Sequence, residues 1–108
     1  AYDARATTTA GVDSGVEHGA LLVEFSNAIM SDDEERLGRA RDAVRDTLGD
    51  TGWHEATATA ANFNQMDRIA DSTGIPLDAG PGRAMMAEMG REIGSVNFAS
   101  AKNTLQRL

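Results

Sequence analysis

The stretch from Gly52 to Thr73, GWHEATATAANFNQMDRIADST, constrains the fold more than any other part of this chain. It reads as one helix. Asp50 or Thr51 stands where a cap is needed, and Gly74 followed by Ile75-Pro76 stops it. At 1.5 Å per residue its 22 residues span about 33 Å, the width of a small domain, so it is expected to be the central element. Its middle is built from Ala, Thr and Asn where a core helix normally carries Leu and Ile. The run from Ala56 to Ala61 reads as close packing, because small side chains let a neighbouring helix approach and Thr hydroxyls can bond back to their own helix.

The flanking segments share the helical period. Between Glu17 and Met30 apolar residues recur at Leu21, Leu22, Phe25, Ala28 and Ile29. Ser31 with Glu34 three residues on forms a capping box, and Leu37, Ala40, Val44 and Leu48 make the stripe of a second helix that Gly49 ends. A fourth helix near 81–93 places Met85, Met89 and Ile93 on one side, with Pro81 in its first turn. A fifth starts at Asn97 as cap and aligns Phe98, Ala101, Leu105 and Leu108. No segment alternates polar and apolar residues for long enough to be a strand. The expected fold is all-α, about five helices with short links. Residues 1–16 read as a flexible arm and 17–108 as a single helical domain.

Charge and composition narrow the function classes. Net charge is −7, with nine Arg and one Lys, which argues against nucleic acid and anionic lipid as partners. No run of about 18 apolar residues could span a membrane, and the start of the chain has no basic-then-apolar leader, so a cytoplasmic location is expected. The absence of cysteine removes disulfides, thiolate metal sites and thiol nucleophiles. Five aromatic residues in 108 make a thin core, and an oligomer is expected to bury what a monomer cannot.

Few residues can carry chemistry. His54 and Glu55 open the long helix, and Glu17 and His18 open the first one. A His with a carboxylate partner can act as a general base, which makes His54, Glu55 and His18 the catalytic candidates. Neighbours on a helix point about 100° apart, however, and Glu in a first turn also serves the helix dipole. The two His lie 36 positions apart with no ligand spacing between them, so neither a metal site nor a cofactor is expected. Asn64, Arg68 and Asp71 fall at i, i+4 and i+7, where they read either as a polar ligand site anchored by Arg68 or as a hydrogen-bonded network that fixes helix register. Trp53 and the patch of Met85, Met86 and Met89 read as core or subunit contacts. The AGPGR turn at 79–83 lacks the lysine and the preceding strand of a phosphate loop.

The order of these motifs resembles the carboxymuconolactone decarboxylase and alkyl hydroperoxidase D-like family. The resemblance runs over residues 19–102, from ALLVEFSNAIM through HEATATAANFNQMDRIADSTGIPLD to SVNFASAKNT. It rests on Glu55, Ala56, Ala60, Phe63, Asn64, Arg68, Ala70, Gly74 and Pro76. It implies an all-helical trimer or hexamer. Peroxidase-type members use a C-x-x-C pair with a Glu and a His. Laid over GVDSGVEH, that motif aligns its His with His18 but puts Gly11 and Ser14 where the cysteines belong. The expectation is therefore a cysteine-free relative, an oligomer without dithiol peroxidase activity. Two alternatives stand beside it: a thiol-independent decarboxylase or lyase that handles a small carboxylate through His54, Glu55 or Arg68, and a subunit that completes a larger fold with a partner chain.

Overall fold

A computed structural model describes residues 1–76 and 79–105. In chain order it contains a 3-10 helix at Ala4–Thr7, α1 at Gly19–Ile29, α2 at Glu34–Thr73, α3 at Arg83–Glu92, 3-10 turns at Ser95–Asn97 and Ala99–Ala101, and α4, a single turn at Lys102–Leu105. The described residues contain no strand, so the chain is all-α. Among the described residues five separate helices do not form. The second and third are one element with a break inside it, and the fifth is replaced by short turns. The chain divides into two units, Ala1–Asn64 and Gln65–Leu108.

The first unit is built on a helical hairpin. Phe25 and Ala28 on α1 meet Ala40 and Val44 on α2, and all four are buried. Leu21, Ile29, Leu37, Leu48, Trp53 and Ala56 pack around them. These are the stripes that the spacing dictates, because positions three, four and seven apart share one helix face. The link between the helices is capped differently from the sequence expectation. Ser31 closes α1: its N–H and hydroxyl both donate to the Ala28 carbonyl, at 3.2 and 2.8 Å. Asp33 is the cap of α2, its Oδ1 accepting the Arg36 N–H at 2.9 Å. Asp33 directly precedes the first residue of α2 and brings a full negative charge to the positive helix end.

The two helices are also joined by charge. Arg36 donates through Nε to Glu24 Oε1 at 2.7 Å and through Nη2 to Oε2 at 2.8 Å, a two-pronged pair. These hydrogen bonds hold the Glu24 carboxyl below its ordinary value, with the positive charges of Arg36 and Arg39 adding to the effect. A carboxyl lowered by folding adds stability that is complete above its unfolded pKa and is lost as pH falls through the folded one. Acid is therefore expected to weaken the hairpin as pH falls through and below the ordinary Glu range, about 4.3, and Glu24→Gln to flatten that dependence. Urea titrations of both proteins at neutral and acid pH check this. Equal acid sensitivity in the variant would show that Glu24 is not a cause.

The break in α2 lies at Gly49, whose φ of 73° and ψ of 178° belong to a region that is essentially closed to other residues. Beyond it the helix resumes so that Trp53 and Ala56 fold onto the same core. Asp50 does not cap the second part. Its Oδ1 accepts from Arg45 Nε at 2.5 Å across the break, and the Arg45 guanidinium lies 5.3 Å from the centre of the Trp53 ring.

Residues 1–16 carry the short helix at Ala4–Thr7, with Asp3 as its cap and Ala6 buried. The Asp3 N–H donates to the Ser14 carbonyl at 3.0 Å, which closes the segment into a loop. α1 begins at Gly19, so Glu17 and His18 precede the helix instead of forming its first turn.

In the second unit α2 ends as the sequence indicates. Gly74 turns left-handed at φ 68°, and the Ile75 N–H reaches back to the Ala70 carbonyl at 3.1 Å, a glycine-terminated cap ahead of Pro76. α3 starts at Arg83 with Gly82 as cap, which leaves Pro81 outside the helix. Phe98 is extended, with ψ at 147°, and so prevents the helix expected from Asn97. Leu108 lies outside the described residues, as does the Leu105 side chain. Ala87 is the only hydrophobic residue of this unit that is buried among those described. Met85 points outward, while Met89 and Ile93 are half-buried.

Candidate functional site

The second unit holds a groove of about 640 Å³, within the size range of small-molecule sites. The last turns of α2 supply Met66, Ala70 and Asp71 to its wall, and Ile75 and Pro76 follow. α3 supplies Met86, Ala87 and Gly90. The turn after α3 folds back because Gly94 adopts φ 81° and the Ser95 hydroxyl donates to the Gly90 carbonyl at 3.3 Å. That fold-back brings Val96 and Phe98 to the far side. Asp71 is the one ionisable residue among the described lining. A shallower recess adjoins it and shares Asp71 and Ser100, with Lys102 and Asn103 on its rim. Among the described residues no ion pair joins Asp71 to Lys102.

The sequence candidates are dispersed relative to this groove. His18 is exposed at the N-cap of α1, in a left-handed conformation at φ 56°, with its Nε2 at 3.7 Å from Glu17 Oε1. His54 is exposed, its ring centre 4.7 Å from that of Trp53 and tilted by 38°. Glu55 is exposed on the next position of the helix. Asn64 belongs to the first unit, where its Nδ2 lies 3.4 Å from Met30 Sδ. Arg68 and Asp71 belong to the second unit, and of these two only Asp71 lines the groove. A site for a small carboxylate needs a pocket that contains Arg68 and a His, and the described groove lining contains neither. Among the described residues no group of three or more His, Asp or Glu side chains could hold a metal ion.

One electrostatic cluster escaped the sequence reading. Arg45, Asp50, Trp53 and His54 gather around the break at Gly49. The hydrogen bond and charge of Arg45 hold the Asp50 carboxyl below its ordinary range, with a smaller contribution from His54. Regular helix spacing does not bring residues 45 and 50 together, and the glycine between them was the available signal.

No family model, curated protein or solved structure matches this chain. Among the described residues no helix is long and apolar enough to cross a membrane.

Proposed function

We propose that this chain is a self-assembling helical protein, a cysteine-free relative of the carboxymuconolactone decarboxylase and alkyl hydroperoxidase D-like family. One observation carries the assembly: the second unit buries Ala87 and leaves Met66, Ile69, Ile75, Met85, Met86 and Phe98 exposed. Ile69 is 52% exposed and Met85 70%. Apolar surface left in water is unfavourable by roughly 25 cal/mol for each Å² that a partner would cover. A concentration of such residues on one small unit marks an association surface. Closed symmetric assembly of identical chains is the commonest way to cover it. The motif order that resembles the family supports a trimer or hexamer. Reduction of a hydroperoxide needs a thiolate to attack oxygen, and this chain has no cysteine, so the role assigned here excludes dithiol peroxidase chemistry.

Native mass spectrometry at micromolar concentration tests the reading. A homo-oligomer is expected, and the double variant Ile69→Lys, Met85→Lys is expected to run as a monomer. A wild-type monomer would overturn the proposal. A complex with a different polypeptide would replace self-assembly by the partner-chain alternative.

A further inference from the structure

We infer that the groove of the Gln65–Leu108 unit binds a small apolar ligand that carries a cationic amine. Its walls at Met66, Ile75, Met86, Val96 and Phe98 present hydrocarbon, sulfur and an aromatic ring. Such walls favour an apolar body, and the two Met side chains adapt to its outline. The volume of about 640 Å³ matches a small molecule.

The charge of the ligand follows from Asp71. This carboxylate lies in the wall, and Lys102 in the adjoining recess does not pair with it. Asp71 is exposed at the groove, and an apolar ligand seated against it strips part of the water from its carboxylate. That loss is unfavourable unless the ligand returns a donor or a positive charge. A neutral chain leaves the carboxylate uncompensated, and an anion adds repulsion from Asp71 and from a chain of net charge −7. An ammonium group satisfies the carboxylate and is drawn in by the same overall field. The Ser100 side chain, also in the lining, offers a further polar contact for an N–H donor. Met66, Ile75, Met86 and Phe98 belong both to this lining and to the exposed apolar surface assigned to assembly, whereas Ile69 and Met85 lie outside the lining and their substitution separates the two readings.

The five methionines allow a site-resolved test. The full chain is labelled with ¹³C at the methionine methyls and titrated with decylammonium below its micelle concentration. Parallel titrations use decanol and decyl sulfate. Saturable shifts of Met66 and Met86 are expected with decylammonium, while Met30 and Met85 stay in place. Decanol is expected to bind more weakly and decyl sulfate not to move these signals. Asp71→Asn should weaken decylammonium binding about tenfold, whereas Asp67→Asn, an equal change in net charge outside the groove lining, should leave it unchanged. The Ile69→Lys, Met85→Lys chain should keep the Met66 and Met86 shifts even where assembly is lost. Equal shifts at all five methyls, equal response to decyl sulfate, or equal weakening by the two Asn variants would overturn the assignment.

Discussion

Phe25→Ala is expected to unfold the Ala1–Asn64 unit at room temperature. Phe25 is 3% exposed and is the only aromatic side chain buried among the described residues. Removing a buried Phe ring costs about 3–5 kcal/mol, from lost transfer energy and from the cavity left behind. Domains carry about 0.05–0.15 kcal/mol of stability per residue, so a unit of this size holds roughly 3–10 kcal/mol in all. The loss is therefore comparable to the total. Ala28 and Ala40 are too short to reach into the space, so any filling would have to come from the larger side chains packed around the core. Val44→Ala, at a position with 0% exposure, removes less volume and should cost about 2 kcal/mol, leaving the unit folded but weaker. Helix content by circular dichroism, followed through a urea titration of each protein, separates the two. A Phe25→Ala chain that keeps its full helix signal and loses less than about 1 kcal/mol would place the core elsewhere.

Gly49→Ala should destabilise the same unit through the backbone alone. A Cβ on residue 49 would meet no atom within 4 Å, so no collision contributes. The cost comes from φ 73° with ψ 178°, and such conformations raise the energy of an L residue by about 1–3 kcal/mol. Straightening α2 would relieve that strain, and it would draw Trp53 and Ala56 off the core and separate Arg45 from Asp50. The single Trp reports the choice, because a red-shifted emission accompanies its release into water. D-alanine at position 49, introduced by chemical ligation, accepts this backbone and should restore the wild-type midpoint. Gly52 provides the contrast. A Cβ there would come 2.5 Å from Leu48 Cβ, so Gly52→Ala fails by contact and D-alanine has no reason to rescue it. If D- and L-alanine at 49 behave alike, the break does not depend on its backbone angles.

The parts of the fold legible in the sequence were those with local causes. The buried stripes on α1 and the first half of α2 follow from spacing alone. Gly49 and Gly74 mark a break and a stop because an unusual backbone angle demands glycine at each. Boundaries decided by competition were misplaced. Ser31 and Asp33 both suit a cap, and the choice fell to the carboxylate. Asn97 also suits a cap, yet Phe98 leaves the helical region and the following turns stay short. The groove was hidden for another reason. Its walls come from the end of α2, from α3 and from the turn after it, and no spacing rule links these segments. Asp71 was singled out for its place on a helix face beside Arg68, and its apolar surroundings were not readable there.

The hairpin core has a consequence for the order in which the chain acquires structure. Its ten side chains lie between Leu21 and Ala56, close together along the chain, and local contacts of this kind form quickly. N-terminal units also leave the ribosome first. The Ala1–Asn64 unit can therefore be complete while Gln65 onward is still being made. The exposed apolar side chains at Met66, Ile69, Met85 and Phe98 then emerge attached to a unit that is already folded and acidic. Fewer open apolar stretches are then in water at the same time, which narrows the chances of wrong pairing while the chain is being made.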